Sequence, residues 1–237
     1  MITKENVDHN QPFFRWVRHR ALRAVNGLTD FIVEPLKTDI NACFVVGCGH
    51  SGTTLTADRL GKANNARLFG WETGIFHPAH GLYASRLALN NLIASVYDHQ
   101  TCFIEKTPKH IHCVRRIQRI VPNAQFIVVT RNPLDTCASL SKRFNSLAYC
   151  TGRWNIDSSA SYNVLNGDSH SIRVRYEALV RNPETELKRL FSFLDLSWTE
   201  SVLDPGDTEY REQFLEGNMK LRSDQVKQVI QSNIGTW

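Results

Sequence analysis

An open α/β domain is predicted: a three-layer, P-loop-like arrangement with helices on both faces of a central, mostly parallel sheet of about five strands. Three observations carry this. Short apolar runs alternate with amphipathic helical patterns, the run Cys43–Val46 passes into the glycine loop Gly47–Thr54, and the run Ala124–Thr130 passes into Arg131-Asn132-Pro133. With 237 residues the chain is long enough for one such domain and too short for two ordinary ones.

Residues 1–41 are expected to form an extension. Phe14, Val17, Ala21, Val25, Leu28 and Ile32 recur at helical spacing, with Arg15, Arg18, Arg20 and Arg23 mostly elsewhere on the wheel. Such a basic amphipathic helix packs on its own domain, or makes weak contact with a membrane surface. The domain proper is expected over 42–237. Cys43–Val46 suits a buried strand, and Gly47, Gly49 and Gly52 let the backbone approach an anion closely. The helix that follows, predicted over Thr53–Lys62, presents unpaired N–H groups and the positive end of its dipole. The glycine spacing matches the nucleotide-triphosphate loop, but Thr53 stands where that loop needs lysine. The bland alternative is a tight turn with no ligand.

A second strand is predicted over Ala66–Trp71, followed at once by Glu72. Ligands of parallel sheets bind beyond the carboxyl ends of strands, so Glu72 is delivered to the mouth that the glycine loop lines. Residues 80–97 read as a helix. His77 and His80 are spaced like a metal pair, but no third ligand accompanies them and no metal is expected. Cys102–Ile104 reads as a short strand leading to Lys106 at the same mouth. Thr107 is the expected N-cap and Pro108 the first turn of a helix continuing over Lys109–Ile120. His110 and His112, two apart, do not share a helix face.

Ala124–Thr130 is the next predicted strand, with Asn132 capping a helix that opens at Pro133. Where a nucleotide triphosphatase places an aspartate for magnesium, this chain has Arg131, whose planar fork suits phosphate; Ser139, about two turns along, can add a donor. A helix is expected over Gly152–Leu165, with Tyr149, Arg153, Trp154 and Tyr162 as weak candidates for acceptor contacts. Ser171–Arg175 reads as the last strand. Asn182 and Pro183 start a helix whose Leu187, Leu190, Phe191 and Leu194 face inward.

Apolar residues make up 42% and charged residues 22%, which excludes disordered and fibrous classes. The net charge of +5 leans towards anionic ligands, and no nucleic acid partner is expected. Six cysteines, at 43, 48, 102, 113, 137 and 150, show neither Cys-x-x-Cys nor zinc spacing. Most lie in apolar runs, so buried reduced thiols and a cytoplasmic location are expected.

On these residues the chain resembles sulfotransferases that use 3′-phosphoadenosine 5′-phosphosulfate (PAPS), closest in pattern to the tyrosylprotein and carbohydrate members. Gly47-x-x-His50-Ser51-Gly52-Thr53-Thr54-Leu55 looks like their 5′-phosphosulfate loop, with Gly49-His50 in place of the common Pro-Arg. Arg131-Asn132-Pro133-x-Asp135-x-x-x-Ser139 is similar to their 3′-phosphate motif. Gly70–Thr73 resembles the stretch that carries the proposed base, and Lys106-Thr107-Pro108 the segment that supplies the catalytic lysine. Arg175–Leu179 resembles a segment near the adenosine, and Lys220–Gln225 with Ile234–Trp237 a closing segment over the nucleotide. The resemblance covers residues 42–237.

It implies that PAPS is the co-substrate and adenosine 3′,5′-bisphosphate the product, without a metal. Gly49, His50, Ser51, Gly52, Thr53 and Thr54 would hold the 5′-phosphate, Arg131 and Ser139 the 3′-phosphate, and Tyr176 and Ser223 the rest of the nucleotide. Glu72 would take the proton of an acceptor hydroxyl and Lys106 would stabilise charge on the departing oxygen. His50 would hydrogen-bond the sulfuryl group or serve as the alternative base. The acceptor is expected to be a carbohydrate or glycolipid hydroxyl, with a tyrosyl protein as the alternative; a P-loop kinase or an inactive nucleotide-binding module is less favoured.

Overall fold

The computed structural model describes residues 33–36, 40–95, 102–204 and 235. The expected N-terminal helix, Ser223 and most of the closing segment lie outside the described residues. Five strands, β1 (Ala42–Gly47), β2 (Ala66–Leu68), β3 (Cys102–Lys106), β4 (Gln125–Thr130) and β5 (Ser171–Arg175), form one sheet in the order β2-β3-β1-β4-β5. All four pairings are parallel. The chain leaves β1 towards β2 and leaves β4 towards β5, in opposite directions, so a crevice opens between the carboxyl ends of β1 and β4.

Side-chain alternation along β1 splits the core into two layers. Cys43 and Val45 face helices α1 (Thr53–Gly61), α6 (Tyr176–Arg181) and α7 (Pro183–Leu194), packing with Leu55, Leu60, Leu179, Leu187 and Phe191. Ala42, Phe44 and Val46 face α2 (Leu82–Ala94) and α3 (Val114–Ile120), packing with Leu89, Ile117 and Phe126. Phe44 stacks on Phe126 and meets Phe76 edge-on, each at 5.7 Å between ring centroids. Helices α4 (Pro133–Phe144) and α5 (Leu147–Gly167) complete the described fold; Cys48, Cys137, Leu140 and Cys150 form a small third cluster with Phe144 and Trp154.

Three expectations are corrected. The second strand ends at Leu68 rather than Trp71, although the Phe69 N–H still donates to the Ile104 carbonyl at 2.9 Å. The single helix expected after Thr107 is a 3₁₀ turn, Pro108–His112, broken at Cys113 before α3 begins. Thr107 makes no side-chain cap there, because its hydroxyl donates to Glu105 instead. Finally, α5 runs well beyond the expected Gly152–Leu165, starting where the Ser146 hydroxyl accepts the Tyr149 N–H.

Candidate active site

The glycine loop is shaped by close backbone approach. Gly47 has φ of +141°, and a Cβ there would lie 2.4 Å from the Val129 carbonyl oxygen; at Gly52, with φ of +101°, it would lie 2.4 Å from the Tyr176 ring. Ser51 holds the loop from inside: its N–H donates to the Cys48 carbonyl at 3.2 Å, and its hydroxyl to the same carbonyl at 2.6 Å and that of Val129 at 3.2 Å. Its polar atoms thus frame the loop. α1 opens at Thr53, and its first internal bond is Thr56 N–H to the Gly52 carbonyl, so the N–H groups of Thr53, Thr54 and Leu55 belong to the helix's open N-terminus.

Residues from both sides of the crevice meet this loop. Arg131, following β4, donates to the His50 carbonyl at 3.2 Å and lies over the Tyr176 ring, 4.5 Å from its centroid. Ser139 on α4 meets Nδ1 of His50 at 2.9 Å. Arg131, Ser139, His50 and Gly52, expected to hold the two phosphates, and Tyr176, expected to hold the rest of the nucleotide, are therefore brought together. Gly49 has an unforeseen neighbour, since a Cβ there would lie 3.0 Å from a terminal nitrogen of Arg153. Arg153 pairs with buried Asp157 at 3.5 Å, and Asp157 in turn accepts from His112 at 2.7 Å. From the terminal segment, the Gly235 N–H reaches the two oxygens of Asp135 on α4 at 3.0 and 3.1 Å.

Lys106, the last residue of β3, is fully buried, and its Nζ lies 3.0 Å from Oε1 of Glu72, whose side chain is 38% exposed. A cation and a proton acceptor are thus held one hydrogen bond apart. Glu105, which sequence reasoning passed over, points to the opposite face of the sheet. Its Oε1 accepts from the Thr73 hydroxyl at 2.7 Å, the Thr73 N–H at 3.3 Å and the Thr107 hydroxyl at 2.6 Å; its Oε2 accepts from His110 Nδ1 at 2.9 Å. Burial acts to raise this carboxyl's pKa, but the charge interaction and hydrogen bond with His110, and the bonds from Thr107 and Thr73, outweigh it and hold the value below the ordinary one. The signal was strand alternation: consecutive charged residues closing a buried strand must both find partners. His77 and His80 sit 6.0 Å apart between ring centroids, and among the described residues no cluster of three or more His, Cys, Asp or Glu is disposed to hold a metal.

The fold and site together define an α/β domain with an anion cradle at the crevice of its parallel sheet, an arginine beside the loop and a lysine–carboxylate pair at the end of the neighbouring strand. The chain belongs to the sulfotransferase family, whose signature matches residues 76–200, a stretch that takes in Lys106, Arg131, Ser139 and Tyr176. It is similar to protein-tyrosine sulfotransferase A of Caenorhabditis elegans, with 26% identity over 84% of this chain and 58% of the relative. It is also similar to the protein-tyrosine sulfotransferase of Drosophila melanogaster, with 26% identity over 85% of this chain and 43% of the relative. The chain thus spans about half the length of these curated relatives. In fold it matches the sulfotransferase domain of the Synechococcus PCC 7002 olefin synthase, with a TM-score of 0.54 at 19% identity over 82% of this chain and 96% of that one. The sulfotransferase domain of the curacin biosynthetic pathway gives a TM-score of 0.55 at 16% identity over 76% of this chain and 82% of that one.

Proposed function

We propose that this protein transfers a sulfuryl group from PAPS to an acceptor hydroxyl. The observation that carries the reading is the Lys106–Glu72 pair at the mouth beside the glycine loop, 3.0 Å apart. The surrounding residues fit a nucleotide with phosphates at both 5′ and 3′ positions. Gly47 and Gly52 let the loop pack tightly against Val129 and Tyr176, the helix N-terminus offers amides, and Arg131 and Ser139 stand across the crevice. PAPS supplies the activated sulfuryl group and a stable bisphosphate leaving group. The chain's own residues do the rest: the loop amides and Arg131 bind and orient, Glu72 accepts the proton of the attacking hydroxyl, and Lys106 stabilises charge on the departing oxygen.

The names of the relatives support a tyrosyl hydroxyl as acceptor. A carbohydrate or glycolipid hydroxyl is the second reading, supported by a carboxylate at the mouth, since an alcohol is far less acidic than a phenol and needs a positioned base more. A reducing, cytoplasmic setting belongs to the proposal: all six thiols are buried and unpaired, and burial pushes that of Cys102 up to about 12. Among the described residues no helix is long and apolar enough to cross a membrane.

The test is turnover of labelled PAPS, in EDTA, against tyrosyl peptides, sugars and simple phenols, with Glu72→Gln alongside. Transfer to one acceptor class is expected, falling at least about 10²-fold in the variant while bisphosphate affinity stays unchanged. Strict metal dependence, or a Glu72→Gln protein with parental turnover, would overturn the reading.

A further inference from the structure

We propose that Glu105 is a positioning residue for the reaction: its buried carboxylate fixes the backbone of Thr73 and so aims the neighbouring Glu72. The proposal rests on the reading of Glu72 as the proton acceptor. Glu72 is exposed and sits on a loop containing Gly74 at φ of +58°, a poor place from which to hold a catalytic carboxylate steady. The strand end compensates through two adjacent residues facing opposite ways. Lys106 takes the Glu72 side chain at 3.0 Å, and Glu105 takes both the N–H and the hydroxyl of Thr73, at 3.3 and 2.7 Å.

The anchoring continues along the loop. The Gly74 N–H donates to the Thr107 hydroxyl at 3.3 Å, and that hydroxyl donates to Glu105 at 2.6 Å. The Phe76 N–H points at Nε2 of His110 at 3.4 Å, and Nδ1 of the same ring lies 2.9 Å from Oε2 of Glu105. Three amides of the segment 73–76 therefore converge, directly or through one side chain, on a single carboxylate that is 2% exposed. An ionised carboxylate buried this deeply costs free energy unless every lone pair is used, and stability alone is served as well by apolar packing. What the charge adds is short, directional bonds to the residue beside the proton acceptor.

The experiment compares Glu105→Gln, Thr73→Val and Thr73→Ser with the parent, reading kcat and the KM for PAPS separately. Glu105→Gln and Thr73→Val are expected to lower kcat by about tenfold to a hundredfold, the cost of a misaligned catalytic group, with KM for PAPS and bisphosphate affinity unchanged. Thr73→Ser, which keeps the hydroxyl, is expected to retain parental kcat. The double variant Glu105→Gln/Thr73→Val should be no worse than its more impaired single parent, because both act through one contact. Additive losses, or a folded Glu105→Gln protein with parental kcat, would overturn the proposal. If Glu105→Gln does not fold, the contrast between Thr73→Val and Thr73→Ser decides, and equal kcat in the two overturns it. Glu72→Gln separates the two readings. Parental turnover there removes the proton-acceptor assignment and this proposal with it. An impaired Glu72→Gln beside unimpaired Glu105→Gln and Thr73→Val removes the positioning role alone.

Discussion

The Arg131 guanidinium lies over the Tyr176 ring, and Tyr176 fills the space beside Gly52, so residues from three separate segments form one wall of the crevice. Two outcomes belong to this wall. Arg131→Ala should erase most of the preference for adenosine 3′,5′-bisphosphate over adenosine 5′-phosphate, a loss of roughly 1.5–3 kcal/mol for a hydrogen bond to a charged group. Calorimetry on the two nucleotides checks it, and equal affinities in the parent would remove Arg131 from the 3′-phosphate. Gly52→Ala would place a methyl group 2.4 Å from the Tyr176 ring at a φ that side chains rarely adopt. It should destabilise by about 1–3 kcal/mol in urea melts and weaken bisphosphate binding at the same time, because the displaced Tyr176 ring lies against Arg131. Both residues were legible in the sequence, one as an arginine closing a strand and the other as a loop glycine. Their meeting at Tyr176 was not, since nothing local ties position 52 to position 176.

Among elements, those whose signals are local came through best. The cap of α4 is an example: the Asn132 side chain accepts from Leu134 N–H at 2.8 Å and Asp135 N–H at 3.4 Å, with Pro133 at the first turn as expected. Asn132→Ala should cost about 1 kcal/mol in a denaturant titration, and an unchanged midpoint would show that α4 is held by packing alone. The helix expected after β3 failed for the opposite reason. Thr107 and His110 are drawn away by a carboxylate two and five residues earlier, and the chain between them tightens into a 3₁₀ turn. α5 was foreshortened because little apolar periodicity marks it: only Cys150, Asp157 and Ser161 are fully buried along its length. Its Arg153, placed in sequence only as a weak acceptor contact, lies beside Gly49, a terminal nitrogen 3.0 Å from where a Cβ would stand. The apolar strands, by contrast, needed no partner to be recognised, and all five were expected.

At the scale of the whole molecule, buried Glu105 ties stability to pH. Its pKa is lowered in the fold, so it contributes stability that is fully present above the ordinary glutamate value, about 4.3, and lost as pH falls through the lower folded value. The stability gap between the parent and Glu105→Gln should therefore be constant near neutrality and narrow below about pH 4. Urea melts across that range check it, and a gap that widens in acid would reverse the assigned direction. The strand order carries a further consequence, for synthesis. β1 is the central strand, yet its neighbours β3 and β4 come much later in the chain. On the ribosome, the apolar run Cys43–Val46 emerges long before either flank exists, and loop-closure entropy delays its pairing. The nascent chain must then carry an apolar strand with no partner until Lys106 has emerged and with an open edge until Thr130 has left the exit tunnel, which makes it a client for holding chaperones. Nascent chains stalled with Ile120 just outside the tunnel should be cut readily by protease near Phe44, and those extended past Arg175 should resist.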